Sequence, residues 1–157
     1  MIDSSLFKSV LGHFASGVTV ITARDQHGKD HGLTVSSFCS LSLVPPLVLA
    51  CIEHRADTHA ILEHAPRFAV NVLAAQQEPI ARRFSEQEQE RFAGLGYSRG
   101  ITGCALLEGA LAYVECEIRH RYPGGDHTIV VGEVLSASTA LEQPLLYYRG
   151  GYAWLER

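Results

Sequence analysis

GLTVSSFCSLSLVPPLVLACIEHRADTH, residues 32–59, decides how the chain is read. Thr34, Ser36, Ser37, Ser40 and Ser42 put small hydroxyls on a strand-like run over about residues 32–40 and just beyond. Pro45-Pro46 then breaks the chain, because proline fixes φ and removes a donor. Residues 47–52 (LVLACI) are continuously apolar, as a strand buried on both faces is. The run ends in Glu53-His54-Arg55-Ala56-Asp57-Thr58-His59, with Asp57 or Thr58 placed to cap a helix reaching about His64. Hydroxyls and main-chain amides on one strand, with a basic loop and a helix start at the end of the next, suit a polar heterocycle joined to a phosphate. A solvated strand followed by a capped helix accounts for the same residues, so their neighbours must decide.

Upstream, residues 3–15 read as a short amphipathic helix capped by Asp3 or Ser4, with Leu6, Phe7, Val10, Leu11 and Phe14 at helical spacing. Residues 18–23 (VTVITA) are β-branched and strand-like, and the polar turn at 26–30 leads into the opening stretch as a hairpin. Downstream, Pro66 stops the helix and residues 68–73 (FAVNVL) form a strand with Asn71 at its middle. A short helix follows over 77–84, ending in Arg82-Arg83-Phe84. Residues 85–103 are polar and aperiodic, and read as a mobile surface excursion.

From Ala105 on, the pattern is all strand. Residues 110–121 alternate apolar and polar, Pro123-Gly124-Gly125-Asp126 turns the chain, and residues 127–137 return. Short strands over 145–148 and 152–155 flank Arg149-Gly150-Gly151. These six to eight strands predict a mainly β protein, a closed antiparallel barrel with a few peripheral α-helices. With 157 residues and no repeat or linker, residues 1–157 are expected to form a single domain.

An apolar share of 46% and a charged share of 19% describe an ordinary soluble fold. A net charge of −4 offers no general attraction to nucleic acid. No apolar run is long enough to span a bilayer and the N-terminal residues lack a basic and apolar leader, so no membrane role and a cytoplasmic location are expected. Cys39, Cys51, Cys104 and Cys116 show no C-x-x-C spacing, and no metal site is expected.

Two further stretches carry chemistry. His127 follows a Gly-Gly-Asp turn at a strand start, where it projects from a barrel mouth or is merely exposed. Tyr147, Tyr148, Arg149 and Tyr152 surround a Gly-Gly turn, as a stacking and anion-binding rim or as cross-strand pairs. Gly94-x-Gly96-x-x-x-Gly100 lacks the strand and helix of a dinucleotide fingerprint. His54, His59 and His64 at five-residue spacing do not converge on a helix, while Cys116 and His120 share one strand face.

Together these stretches resemble the short-chain flavin reductase family, the reductase components of two-component flavin-dependent monooxygenases with the FMN-binding split β-barrel. The matching pieces are FASGVTV (14–20), GLTVSSF (32–38), residues 40–49 with Pro45-Pro46, FAVNVL (68–73), Arg82-Arg83-Phe84, Gly125-Asp126-His127-Thr128 and residues 145–152. The resemblance implies that Thr34, Val35, Ser36 and Ser37 lie along the isoalloxazine of FMN or FAD, largely through main-chain amides. The family often carries Asn where Ser36 stands. It further implies that Ser40 and the segment Cys51, Ile52, Glu53, His54, Arg55 and Thr58 run by the ribityl and phosphate. Arg83 and Phe84 match positions near the phosphate or outer flavin, Tyr152 is a further cofactor-binding position, and His127 stands by the nicotinamide of NADH or NADPH.

The implied activity is hydride transfer from nicotinamide C4 to flavin N5, with reduced flavin passed to a partner monooxygenase and the reductase a homodimer. Two alternatives are a non-catalytic FMN-binding electron carrier on the same barrel, and an oxidase of the pyridoxamine-phosphate type. The latter calls for more basic residues than this chain offers.

Overall fold

The computed structural model describes residues 1–87 and 90–156. Its elements in order are α1 (Ser4–Leu11), β1 (Ser16–Gly17), β2 (Thr19–Arg24), β3 (Asp30–Val35), β4 (Phe38–Ser42), β5 (Leu47–Glu53) and α2 (Asp57–Leu62). There follow β6 (Arg67–Val72), a 3-10 turn (Ala75–Gln77), α3 (Glu78–Ser85), β7 (Tyr97–Arg99), β8 (Ala105–Leu107), β9 (Ala112–Gly124), β10 (His127–Thr139), β11 (Leu145–Tyr148) and β12 (Gly151–Trp154). The mainly β reading holds, with more strands than the sequence predicts.

Seven strands form one sheet in the order β3-β2-β6-β9-β10-β5-β4, and every ladder in it is antiparallel. Its two edge strands, β3 and β4, are joined by Ser36 and Ser37 alone. From Val35 to Phe38 the chain makes three Cα steps, at most about 11 Å, so the sheet has to curl to bring these two strand ends together. A closed barrel is expected from the sequence; the structure shows a seven-stranded sheet in which, among the described residues, no ladder pairs β3 with β4. The single strand expected over residues 32–40 is thereby two, broken where the chain crosses from one edge to the other.

Two clusters fill the structure. Ile21, Leu33, Val35, Val48, Ile52, Phe68, Val70 and Cys116 pack inside the curl, while Val18, Val20, Leu73, Ala81, Phe84, Leu107 and Leu145 pack outside it, around α3. Asn71, fully buried, explains a polar residue within FAVNVL. Its Nδ2 donates to Val20 O at 3.0 Å and its Oδ1 accepts from Leu107 N at 2.7 Å, tying β8 to the sheet.

Several expectations change. β5 is not buried on both faces: Val48, Ala50 and Ile52 are buried, and Leu47, Leu49 and Cys51 are half-covered. Neither Asp57 nor Thr58 caps α2; Ala56 holds the N-cap position, and the Thr58 hydroxyl donates to Gly32 O at 3.1 Å. α1 is capped by Asp3 as expected but ends at Leu11, and it buries none of its residues. Cys116 and His120 lie on opposite faces, since a bulge between them shifts the β9 register against β10. Cys116 is buried, while His120 is exposed and stacks on Tyr122. Residues 97–103, within the expected excursion, are pinned. Arg99 makes two bonds of 2.7 and 2.8 Å to Asp30, and the buried Glu115 accepts from Thr102 N and Oγ1.

Gly132 of β10 is a point of close approach. A Cβ there would lie 2.6 Å from the Phe68 ring and 2.8 Å from Cys116 Cβ. Gly132→Ala is expected to destabilise the fold by about 1–3 kcal/mol through overpacking. Urea unfolding measures this, and an unchanged midpoint would contradict the packing described.

Candidate active site

A cleft of about 520 Å³ opens along the free edge of β3, within the usual size range of small-molecule sites. One wall is Thr34–Ser37, continuing into Cys51, Glu53 and Arg55 at the end of β5. Phe84, Ser85, Gln87 and Arg91 form the other, and His127 stands at the start of β10.

The local geometry follows from strand alternation. Gly32 O accepts from the Thr58 hydroxyl and from Arg91 Nη1 at 2.9 Å, so it points away from β2. Thr34, two residues on, therefore turns its main-chain N–H and C=O to the same open edge. Its hydroxyl is already committed, donating to Ala81 O at 2.6 Å. Ser37 Oγ likewise donates to Cys51 O at 2.9 Å. Ser36 is exposed between them. The edge thus offers main-chain groups and small side chains, not a row of free hydroxyls.

Among the described residues Arg55 has no hydrogen-bond or ion-pair partner, which leaves its guanidinium available to an anion. Arg91, by contrast, is a strut: it bonds Gly32 O and donates to Glu86 O at 2.8 Å, with Asp57 3.8 Å away. Gly125, at φ 69°, occupies the first position of the two-residue turn into β10, where glycine suits a type II′ hairpin. His127 Nδ1 lies 2.6 Å from Asp126 Oδ1. A carboxylate only accepts, so Nδ1 carries the proton and donates, leaving Nε2 free. That hydrogen bond holds the Asp126 carboxyl below its ordinary value. Burial pushes the Cys51 thiol up, keeping it protonated and unreactive at neutral pH.

The cleft gathers Thr34, Val35, Ser36, Ser37, Cys51, Glu53, Arg55, Phe84 and His127 of the expected site. Tyr152 lines an adjoining cavity that shares Thr34, Ser36 and Ser85 with the cleft. The others do not line the cleft. Ser40 is exposed on β4, opposite Val48. Ile52 and Thr58 are buried. Arg83 bonds the carbonyls of Arg91 and Ala93. His54 turns to Thr128, where it meets His59, contrary to expectation. Their rings are 4.8 Å apart, and both Nε2 atoms lie within 3.2 Å of Thr128 Oγ1. They converge because His54 precedes α2 and helical spacing does not govern it.

An open strand edge lined by small residues, an unpartnered guanidinium at one end and an oriented imidazole at the mouth fit a planar heterocycle bearing a phosphate. Residues 11–156 match the family described as flavin reductase like domain. The chain belongs to this family. As a member it is an oxidoreductase acting on flavin and a nicotinamide nucleotide. It is 40% identical over 156 residues to the flavin-dependent monooxygenase reductase subunit HsaB of Rhodococcus jostii, covering 99% of this chain and 80% of that protein. It is 39% identical to a flavin reductase of Pseudomonas putida, over 96% of this chain and 89% of that one. The NADH:FAD oxidoreductase SgcE6 of Streptomyces globisporus, solved with NAD and FAD fragments, superposes with a TM-score of 0.93 at 38% identity, covering 98% of this chain and 93% of that one.

Sequence reasoning missed Ser85, Gln87 and Arg91 as wall residues of this flavin reductase. Ser85 follows Phe84 directly, and that adjacency was the available signal. Arg91 gave none, because its partner carbonyl is 59 residues away.

Proposed function

We propose that the β3 edge holds the flavin ring, FMN or FAD, and that NADH or NADPH enters on the His127 side. The open main-chain edge at Thr34 beside the small Ser36 carries this reading. Bound flavin supplies the hydride acceptor, N5, for the hydride leaving nicotinamide C4. The chain's own part is orientation. Thr34 and its neighbours present main-chain donors and acceptors to the ring edge, Arg55 takes the phosphate, and Phe84 closes the back wall. Asp126 fixes the tautomer of His127, whose free Nε2 accepts from the nicotinamide carboxamide. A hydride step of this kind needs no nucleophile, consistent with a protonated Cys51.

Reduced flavin would then pass to a partner flavin-dependent monooxygenase, by analogy with the role named for the Rhodococcus jostii relative. The whole chain acts as one reductase unit, and a homodimer is supported by uncovered apolar surface. Leu6, Phe7, Val10 and Leu11 of α1 are each more than half exposed, and Leu43 and Val44 nearly fully so. No helix among the described residues is long and apolar enough to cross a membrane, and we place the protein in the cytoplasm. A non-catalytic carrier would leave the Asp126–His127 pair at the cleft mouth without a role.

Steady-state kinetics of His127→Ala test the assignment. The nicotinamide KM is expected to rise about tenfold, the value of a lost hydrogen bond, with kcat falling by less than about threefold. Lost turnover with normal nicotinamide and flavin binding would overturn this role for His127.

A further inference from the structure

Two histidines outside the cleft converge on one point. His54 follows β5 and His59 lies in α2, and the Nε2 atoms of both reach Thr128 Oγ1, at 3.2 and 2.8 Å. Neither side chain lines the cleft. Their ring centres are 4.8 Å apart, with planes inclined at 61°. Both residues are held from behind. The His54 main-chain N–H donates to Asp126 O at 3.0 Å, in the turn into β10, and His59 sits within α2 with its Nδ1 3.7 Å from Glu63 Oε1. The convergence is invisible in the sequence, from which no metal site is expected.

A tetrahedral ion bound by two imidazoles at about 2.0–2.1 Å holds their ring centres about 5 Å apart, close to the separation of this pair. Imidazole ligands favour zinc, copper and nickel over magnesium or calcium. The Thr128 hydroxyl carries one proton and can donate to only one of the two nitrogens. Glu63 favours the proton of His59 on Nδ1, so His59 Nε2 presents its lone pair to the shared point, as metal-binding histidines backed by a carboxylate do. His54 is exposed and free to take the same tautomer. Among the described residues no third His, Cys, Asp or Glu side chain completes a group with them, so water fills the remaining positions and the ion exchanges readily. We propose that His54 and His59 form a two-histidine site for a divalent transition-metal ion, zinc in the first instance. The two histidines flank Arg55 in the chain, so a bound ion clamps the segment that carries it. The site stands independently of where flavin binds.

Zinc is titrated calorimetrically into the full chain, made without an affinity tag and stripped with EDTA, and into His54→Ala, His59→Ala and His64→Ala. His54→Ala and His59→Ala are each expected to weaken zinc binding at least about tenfold, and His64→Ala to leave it within about twofold. His64 serves as the control because it is exposed on the same segment and lines a separate cavity. Zinc is also expected to raise the thermal midpoint of the wild type and of neither His54→Ala nor His59→Ala. Copper added below one equivalent gives a readout that needs no variant. Its electron paramagnetic resonance spectrum is expected to show coupling to two imidazole nitrogens. Zinc binding to the wild type only at about millimolar concentration or above, an affinity unchanged in either His54→Ala or His59→Ala, or copper coupled to fewer than two nitrogens overturns the proposal.

Discussion

Arg55→Ala is expected to weaken FMN binding by about ten- to a hundredfold while riboflavin binding stays within about twofold. The two ligands differ only in the phosphate, so the comparison isolates one contact. Arg55 lines the cleft at the end of β5 and has no partner among the described residues. The other arginine lining the cleft, Arg91, is occupied with the carbonyls of Gly32 and Glu86. Glu53 and Asp57 share the wall, so removing Arg55 both deletes a donor and leaves those carboxylates to repel the phosphate. Arg55 is exposed, and its loss should not disturb the core. Equilibrium titration with both flavins checks this; equal losses for FMN and riboflavin would place the phosphate elsewhere.

Ser36→Trp is expected to weaken flavin binding by more than about a hundredfold, whereas Ser36→Ala changes it by less than about twofold. Ser36 sits on the link between the edge strands and borders both cavities. An indole there has no core position to enter and must project into the space along β3. The alanine variant keeps the main-chain groups and removes only a hydroxyl that has no bond of its own among the described residues. Far-ultraviolet circular dichroism controls for folding, and fluorescence titration reads the affinity. A large loss in Ser36→Ala would mean that the hydroxyl, not the backbone, recognises the ring.

What the sequence shows of this architecture depends on whether the signal is local. The hairpin of β9 and β10 is legible because alternation and the Gly124-Gly125-Asp126 turn lie within a few residues of each other. So is His127, whose position is set by that turn. The break at Ser36-Ser37 is not legible, because nothing in GLTVSSFCS distinguishes one long strand from two edge strands joined by a crossover. The same holds for Thr34 and Thr58, whose hydroxyls are spent on Ala81 and Gly32, 47 and 26 residues away. Ile52 lies between Cys51 and Glu53 of the cleft wall, but the period of two turns its side chain into the core. His54 and His59 meet only because both reach Thr128 across the β5–β10 pair.

This cleft is expected to turn flavin over with a nicotinamide nucleotide. The direct measurement is NADH or NADPH oxidation in air with flavin present in small amount relative to the nucleotide. Oxidation continuing through many equivalents of the added FMN, FAD or riboflavin is the expected result. Oxidation that stops after one equivalent of flavin, with flavin remaining tightly bound, would contradict it.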